Sequence, residues 1–237
     1  KALTISGLTA SNRAYDGTRS ATISSGNTVY TGLITGDDVT VSATGIFADA
    51  NAGNGKTVTL TSSYSGSDLG NYSITDQATT TANITPKTVS LSGTTATKVY
   101  DGTTTLSGSQ VTITTGVGSE TLTYTGAVAN SANVGANNYI SAITLANGVN
   151  GELASNYALP TLNASNAPVT ITAKSITLTA PSINKVYDGG YTYDLSVSDL
   201  SAINAQLTGT DTFNAAQAIF VGNNPNVGTN KAVAINP

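Results

Sequence analysis

Short segments in which apolar and hydroxyl side chains alternate occur along the chain. Val58-Thr-Leu-Thr, Val111-Thr-Ile-Thr and Val169-Thr-Ile-Thr are clear examples. Because successive side chains of a β-strand point to opposite faces, each segment would bury its aliphatic side chains and expose its threonines. The pattern therefore predicts half-buried β-strands.

The turn and helix signals of the chain agree with this pattern. No window of a dozen residues carries a sustained helical stripe, and glycine interrupts most candidates. Asparagine-glycine dipeptides, which suit the left-handed conformations of tight hairpins, lie between strand-like runs at Asn54-Gly55, Asn147-Gly148 and Asn150-Gly151. We therefore expect an all-β chain.

One tripeptide, Tyr-Asp-Gly, occurs three times at a nearly constant interval. Its copies are Tyr15-Asp16-Gly17, Tyr100-Asp101-Gly102 and Tyr187-Asp188-Gly189, and the tyrosines are 85 and 87 residues apart. Self-similarity at a fixed period is typical of tandem repeats. The aspartate can accept hydrogen bonds from nearby backbone amides, and the glycine allows a positive φ. We interpret the tripeptide as a turn anchored by a shared, buried tyrosine ring, with a ligand site as the less favoured alternative.

Further landmarks recur in the same order around the tripeptide. A strand-like segment that opens with lysine precedes it, at Lys1-Ala-Leu-Thr-Ile-Ser-Gly, Lys87-Thr-Val-Ser-Leu-Ser-Gly and Lys174-Ser-Ile-Thr-Leu-Thr-Ala. An acidic turn follows it, at Gly36-Asp37-Asp38, Gly118-Ser119-Glu120 and Gly209-Thr210-Asp211. Beyond the turn comes a block that runs from asparagine to glycine, at Asn51-Ala52-Gly53, Asn133-Val134-Gly135 and Asn226-Val227-Gly228. Four landmarks recur in the same order in all three copies, which chance similarity does not explain.

The repeat boundaries follow from these landmarks. Residues 1–86 and 87–173 form two complete repeats, each with an Asn-Tyr segment near its end, Asn71-Tyr72 and Asn156-Tyr157. We predict that these tyrosines pack in the core, as a corner tyrosine does. Residues 174–237 form a third, C-terminally incomplete repeat. The chain begins in mid-pattern without an initiator methionine or a signal peptide, so we expect it to be a piece of a longer protein.

The repeat length and the first junction predict the architecture. Strands roughly every 8 to 12 residues would give about seven strands in one repeat, the size of an immunoglobulin-like β-sandwich. The junction Thr81-Ala-Asn-Ile-Thr-Pro-Lys has no flexible Gly/Ser spacer, and Pro86 would end strand pairing there and form a corner. We therefore expect tandem small β-sandwich domains arranged end to end as an elongated rod.

The composition excludes most catalytic chemistry. The chain has no His and no Cys, so it cannot form a Ser-His-Asp triad, a thiol nucleophile or the usual zinc site. Asp37 and Asp38 are adjacent, and adjacent side chains of a strand point to opposite faces, which argues against an acid and base pair. We predict that the chain is not an enzyme.

Calcium is the one metal for which the oxygen-rich turns offer suitable ligands. Asp38, Glu120, Asp211 and the Tyr-Asp-Gly aspartates could bind it together with backbone carbonyls. The chain has neither an EF-hand nor a Gly-Asp-rich nonapeptide pattern, so a protein without a cofactor is the favoured expectation.

Charge and hydropathy narrow the expected partners and compartment. The nine basic residues are scattered singly in a chain of net charge −4, so no basic stripe is available for nucleic acid. The sequence has no apolar run of about 18 residues, which argues against membrane insertion by this segment. A Thr/Ser/Asn-rich β array with few lysines suits an exported surface protein better than a cytosolic enzyme.

The combination of motifs resembles a known family. Lys98-Val-Tyr-Asp-Gly-Thr, its variants Arg13-Ala-Tyr-Asp-Gly-Thr and Lys185-Val-Tyr-Asp-Gly-Gly, the Asn-Val-Gly block, the Asn-Tyr segment and the closing Ile-Thr-Pro-Lys are together similar to the YDG domain. The resemblance covers essentially the whole chain, although Ala173 replaces proline at the second junction and Gly190 replaces threonine in the third motif. That family and the related MBG modules occur as tandem repeats in large bacterial surface and secreted proteins, including adhesins of the filamentous-haemagglutinin type.

The resemblance implies a stalk or adhesive role at the bacterial cell surface or outside the cell, and it supplies no catalytic residues. The leading hypothesis is a structural spacer that projects a binding domain in cell adhesion or biofilm formation, with neighbouring repeats as its partners. The alternative is direct recognition, in which exposed Tyr, Asn and Thr bind a glycan, a surface or another copy of the array. Isopeptide bonds from Lys98 and Lys185 are a further hypothesis, which Arg13 in the first copy argues against.

Overall fold

The computed structural model describes residues 1–91, 97–213 and 217–236, so the end of the second lysine-led segment, Ser92-Gly93, and Pro237 lie outside the described residues. Over the described residues the fold is mostly β, in several small sheets, with one short α-helix and three single-turn 3-10 helices. The expectation of an all-β chain is correct for the strands, and the α-helix is its exception.

Repeat one (residues 1–86) contains ten strands. They are β1 (Ala2–Ser6), β2 (Thr9–Ala10), β3 (Arg13–Ala14), β4 (Ser20–Ala21), β5 (Ile23–Ser24), β6 (Val29–Thr31), β7 (Thr40–Phe47), β8 (Gly53–Ser65), β9 (Ser73–Thr75) and β10 (Thr79–Thr85). One sheet has the order β6-β1-β9, a larger one has the order β3-β10-β8-β7-β4, and β2 pairs with β5. A 3-10 helix, Leu69–Asn71, precedes β9.

The alternating pattern accounts for the core of repeat one. Leu3 and Ile5 of β1 are buried while their neighbours in the strand are exposed. Val58 and Leu60 of β8 are buried and the threonines between and beside them are exposed, as the sequence predicts. Phe47, at the end of β7, is fully buried and pairs with Val58. Both sheets therefore contribute aliphatic or aromatic side chains to one core.

Repeat two (residues 87–173) contains shorter strands in its described residues. They are β11 (Lys87–Thr88), β12 (Thr97–Val99), β13 (Thr123–Ala129), β14 (Ile140–Ala146), β15 (Tyr157–Ala158) and β16 (Thr170–Thr172). β11 pairs with β15 and β12 pairs with β16 in parallel, whereas β13 and β14 are antiparallel. The 3-10 helices of this repeat are Gly108–Gln110 and Ala154–Asn156.

Repeats one and two share a parallel pairing in the same register. In repeat one, β3 lies beside β10, with Arg13 opposite Ile84. In repeat two, β12 lies beside β16, with Lys98 opposite Ile171. The strand that leads into Tyr-Asp-Gly therefore lies beside the last strand of its own repeat. Pro86 separates β10 from β11, which pair in different sheets, so it forms the predicted corner.

Repeat three (residues 174–237) contains the α-helix, α1 (Val197–Asn204), and a sheet of β17 (Thr192–Asp194), β18 (Gln217–Phe220) and β19 (Val233–Asn236) in that order. Ser196 caps the helix, because its hydroxyl accepts the Asp199 amide while the Asp199 carboxylate accepts the Ser196 amide. The expectation that the chain has no helix was wrong here. Ser196-Val-Ser-Asp contains the local capping signal that would have found it.

Two buried apolar clusters organise the described residues. The larger one runs through repeats one and two, from Leu3 to Ile171, and includes Tyr15 and Tyr157. The smaller one belongs to repeat three and has Leu195, Ile203 and Ala218 at its centre. Residues of repeats one and two therefore share one apolar core, which is continuous across the first junction.

Two local predictions were wrong. Val111-Thr-Ile-Thr alternates in burial, but it forms only an isolated bridge between Thr114 and Ser90 instead of a strand. Asn54-Gly55 lies inside β8, where the register between β8 and β10 shifts, and Gly55 has a φ of 59°. The left-handed conformation is present at this dipeptide, but it serves an irregularity in a long strand and not a hairpin.

Candidate inter-repeat joint

Each Tyr-Asp-Gly tripeptide forms the same turn. In every copy the aspartate Oδ1 atom accepts the backbone amide two residues further on at 2.8 Å, as Asp16 does from Thr18. The intervening glycines have φ values of 78°, 77° and 78°. L-residues with a Cβ rarely adopt this conformation. The geometry is the turn that the sequence predicts for the tripeptide.

A basic side chain three residues before the aspartate closes this turn. The ion pairs are Arg13 with Asp16, Lys98 with Asp101 and Lys185 with Asp188. Lys98 is 3% exposed, and its Nζ atom donates to the carbonyls of Thr103 and Thr105 at 2.8 and 2.7 Å. The hydrogen bond from the lysine lowers the pKa of Asp101 and that of Asp188. The basic residue therefore fixes the turn from the inside.

The three motif tyrosines differ in burial. Tyr15 is 6% exposed, Tyr100 is half-buried and Tyr187 is 63% exposed. The expectation of a buried ring shared by all copies is therefore correct for Tyr15 alone. Tyr15 and Tyr100 are less exposed than Tyr187 because each contacts the repeat that follows it in the chain.

One glutamate binds tyrosines of two repeats at the first junction. The Tyr15 hydroxyl donates to Oε1 of Glu120 at 2.8 Å, and the Tyr157 hydroxyl donates to Oε2 at 2.5 Å. The two rings meet edge to face, with centroids 5.3 Å apart and planes at 77°. Such charge-assisted hydrogen bonds are stronger than neutral ones. Tyr15 of repeat one and Tyr157 of repeat two therefore bind the same side chain, the Glu120 carboxylate of repeat two.

The same partners recur elsewhere in the chain. The Tyr100 hydroxyl of repeat two donates to Oδ1 of Asp211 in repeat three at 2.8 Å. Within repeat one, the Tyr72 hydroxyl donates to Oδ2 of Asp37 at 2.5 Å. The acidic turn therefore binds the Asn-Tyr tyrosine of its own repeat and the Tyr-Asp-Gly tyrosine of the preceding repeat. Tyr157 is in the core, as predicted, whereas Tyr72 is only half-buried.

The acidic residue of this turn is Asp37 in repeat one, not Asp38. The amides of Asp37, Glu120 and Asp211 each donate to the carbonyl three residues earlier, at 3.1, 3.0 and 3.1 Å. The alignment on glycine pairs Asp38 with Glu120, which is wrong by one position. Gly36 directly precedes its acid, whereas Gly118 stands two residues before Glu120.

The motif glycine lies against the acidic turn of the next repeat. A Cβ atom on Gly17 would be 3.1 Å from Cγ1 of Val117, and one on Gly102 would be 3.5 Å from Cγ2 of Thr208. Val117 and Thr208 are equivalent residues, since each supplies the carbonyl of its acidic turn. A Cβ on Gly189 would meet no described atom within 4 Å. Glycine therefore serves both the left-handed turn and the close approach of two repeats.

A second polar contact crosses the first junction. Asn156, which is 2% exposed, accepts the Ala52 amide through Oδ1 at 2.8 Å and donates to Oδ1 of Asn51 at 3.1 Å. Asn51 and Ala52 belong to the asparagine-to-glycine block of repeat one. Sequence reasoning identified both landmarks but did not connect them, because the partners are 104 and 105 residues apart.

The surroundings of the tyrosines favour their neutral, hydrogen-donating form. Burial, and then the hydrogen bond to Glu120, raises the pKa of Tyr15 to about 12. The same two causes raise the pKa of Tyr157. The hydrogen bond to Asp211 raises the pKa of Tyr100. Each hydroxyl therefore keeps its proton, and with it the hydrogen bond to the carboxylate, to a higher pH than a free tyrosine does.

Comparison with known proteins identifies the repeat. A family model described as the YDG domain matches residues 1–82, 85–164 and 172–237. The chain belongs to the YDG domain family. No curated protein and no solved structure matches it. In the first two YDG repeats, the Tyr-Asp-Gly tripeptide lies where the repeat meets the next one.

The acids proposed for calcium are engaged elsewhere in the YDG repeats. Glu120 and Asp211 accept hydrogen bonds from tyrosines, Asp38 accepts one from the Ser67 amide, and the three motif aspartates form ion pairs. Within residues 1–91, 97–213 and 217–236, no group of three or more acidic side chains is placed to hold a metal ion. The same part of the chain has no helix long and apolar enough to cross a membrane.

Proposed function

We propose that this chain is a non-catalytic stalk, in which YDG repeats hold one another in a fixed orientation and project a binding domain. The stalk would belong to a large bacterial surface or secreted adhesin and act outside the cell, in adhesion or biofilm formation. The observation that carries this proposal is the Glu120 carboxylate, which binds Tyr15 of repeat one and Tyr157 of repeat two.

Three features support a stiff connection between repeats. The joint consists of landmarks that every complete repeat carries, so an array of any length can form it again. Pro86 alone separates the last strand of repeat one from the first strand of repeat two, which leaves little slack. The polar contacts at Glu120 and Asn156 flank an apolar cluster that both repeats share. Directional hydrogen bonds around an apolar contact fix an orientation better than either does alone.

We further propose that each complete repeat is a small immunoglobulin-like β-sandwich and that the array is an elongated rod. The two larger sheets of repeat one, which both contribute side chains to a common core, support the sandwich. Strands of roughly 8 residues rise about 3.3 Å per residue, so a repeat with its loops would extend on the order of 30 to 40 Å. Small-angle scattering of the whole chain should give a maximum dimension near 100 Å on this basis, and a compact, near-spherical particle would contradict it.

A matched pair of variants tests the joint itself. Glu120→Ala removes the acceptor of both Tyr15 and Tyr157, whereas Asp37→Ala removes the equivalent acceptor of Tyr72 within repeat one. We expect the scattering profile of Glu120→Ala to show a wider range of particle dimensions, while that of Asp37→Ala stays like the parent. If both variants keep the parent profile, the carboxylate does not set the orientation of the repeats.

One observation favours a second candidate, glycan recognition. A polar cleft of about 430 Å³ lies at the first junction, and Tyr15, Asn51, Glu120 and Glu152 contribute to its lining. Amide, carboxylate and phenol groups in an open cleft are suited to sugar hydroxyls. A glycan array with the whole chain tests this candidate, with Glu152→Gln as the variant that should lose any signal.

A further inference from the structure

The three asparagine-glycine dipeptides of the chain have the same sequence but different surroundings. They are Asn54-Gly55, Asn147-Gly148 and Asn150-Gly151. Asparagine before glycine is the pair most open to loss of ammonia, because glycine has no Cβ to hinder attack of its amide nitrogen on the asparagine side chain. The attack needs a glycine amide without a hydrogen bond and space for a ring. These two conditions can be read from the structure at each dipeptide.

The glycine amides of the first two dipeptides are engaged. Within β8, the Gly55 amide donates to Oδ1 of Asn83 at 2.7 Å. The Gly148 amide donates to the Glu152 carbonyl at 2.9 Å, and a Cβ atom on Gly148 would overlap the carbonyl oxygen of Thr121. Attack by either nitrogen would first have to break a hydrogen bond, and Gly148 is also closely packed.

The third dipeptide meets both conditions. Asn150 and Gly151 are exposed, and no described residue accepts a hydrogen bond from the Gly151 amide. Gly151 has a φ of 96°, and a Cβ atom on it would meet no described atom within 4 Å. The Gly151 nitrogen therefore has no bond of its own to break and no neighbour to displace when it approaches the Asn150 side chain.

This dipeptide lies in a loop at the first junction, residues 147–153. Asn150 lines the polar cleft together with Tyr15 and Glu120. Oε2 of Glu152 accepts the Asn150 amide at 2.9 Å, while Oε1 accepts Nδ2 of Asn150 at 3.4 Å and the Thr121 amide at 3.5 Å. Hydrogen bonds from its own amide and then from Asn150 and Thr121 lower the pKa of Glu152. A charged Glu152 thus connects the loop to the residue that follows Glu120.

We propose that Asn150 is a site of spontaneous deamidation, and that its conversion loosens this loop from the acidic turn of repeat two. The Gly151 nitrogen bonds to Cγ of Asn150 and gives up its proton, the bond from Cγ to Nδ2 breaks, and ammonia leaves a succinimide ring. Water then opens the ring at one of its two carbonyls, which gives aspartate or isoaspartate. The reaction needs only the loop itself, so the site does not depend on the stalk function.

The product would act on Glu152 in two ways. The side-chain amide that donates to Oε1 of Glu152 is lost, and a second carboxylate takes its place. Like charges at this separation repel each other and weaken the hold of Glu152 on the Thr121 amide. Isoaspartate also adds one carbon to the backbone between Asn150 and Gly151, which shifts the loop further.

Peptide mapping by mass spectrometry tests the site on the whole chain. The folded chain is incubated at neutral pH, and conversion of each asparagine is followed by the gain in mass and by separation of the isoaspartyl peptide. We expect Asn150 to convert roughly tenfold faster than Asn54 or Asn147, whose glycine amides must first lose a hydrogen bond. In urea, which removes these bonds, the three rates should become similar. Conversion of Asn54 or Asn147 as fast as Asn150 in the folded chain would overturn the site, as would conversion confined to the unfolded chain.

A double-mutant cycle tests the consequence for the loop. Asn150→Asp supplies one product directly, and Asn150→Ala removes the same donor without adding a charge. The denaturation midpoint should fall further for Asn150→Asp than for Asn150→Ala, and this difference should disappear when both are combined with Glu152→Gln. A difference that persists beside Glu152→Gln, or equal midpoints for the two single variants, would refute repulsion from Glu152 as the cause.

Discussion

The Tyr15 hydroxyl and the Glu120 carboxylate are 105 residues apart in the chain and 2.8 Å apart in the fold. Tyr15 belongs to the motif of repeat one, and Glu120 closes the acidic turn of repeat two. The equivalent pair, Tyr100 and Asp211, is bonded at the next junction. A feature that first suggests a turn within one repeat is therefore also a contact between repeats.

Loss of the Tyr15 hydroxyl should weaken the first junction. Tyr15→Phe keeps the ring and leaves Glu120 without one of its donors, which should lower the free energy of unfolding by about 1.5 to 3 kcal/mol. Tyr187→Phe is the matched control, since Tyr187 is 63% exposed, and it should change the value by less than about 0.5 kcal/mol. Chemical denaturation followed by circular dichroism measures both. If the two variants lower the free energy of unfolding equally, the hydrogen bond from Tyr15 to Glu120 does not stabilise the junction.

Alanine at the motif glycines should separate turn strain from contact between repeats. Gly17→Ala and Gly189→Ala both place a Cβ at a φ of 78°, at a cost of about 1 to 2 kcal/mol each. Only Gly17→Ala also brings a Cβ to within 3.1 Å of Val117, so it should be the more destabilising by roughly 1 kcal/mol or more. Thermal and chemical denaturation give the comparison. If Gly17→Ala and Gly189→Ala lose the same stability, Val117 of repeat two moves away from the added Cβ atom at no energetic cost.

Removal of the buried amide of Asn156 should destabilise the chain. Asn156→Ala leaves the Ala52 amide and the Asn51 side chain without their partner, at a cost of about 1 to 3 kcal/mol. Asn71 holds the same landmark position in repeat one but is exposed, so Asn71→Ala should stay within about 0.5 kcal/mol of the parent. Equal shifts of the denaturation midpoint in Asn156→Ala and Asn71→Ala would contradict the prediction.

Alkaline pH should release the tyrosine contact. Because the pKa of Tyr15 rises from 10.0 to about 12 on folding, the folded chain binds more protons than the unfolded chain between these values. Stability from this group is complete below pH 10 and is lost as the pH rises towards 12. The stability difference between the parent and Tyr15→Phe should therefore shrink when denaturation is repeated at increasing pH above 10. A constant difference would contradict the protonation linkage.

Local chemistry made the repeat and its turn predictable from sequence. Tyr-Asp-Gly encodes its turn within four residues, because the aspartate reaches an amide two positions on and only glycine fits the left-handed position without cost. Alternation likewise located the buried face of β8 through Val58 and Leu60. The same reasoning failed at Val111-Thr-Ile-Thr, where burial alternates but the described residues form only an isolated bridge, from Thr114 to Ser90.

The sequence by itself determined the repeat period, the landmark order and the conformation of the motif turn, since these depend on residue type and near neighbours. Only the tertiary structure decided that Tyr15 binds Glu120, that Asn156 binds Asn51 and Ala52, and that Asp37 is the equivalent acid in repeat one. These partners are brought together by the packing of repeats, and no local pattern encodes a hydrogen bond across a hundred residues. Burial of the motif tyrosine is decided in the same way, by whether another repeat packs against it.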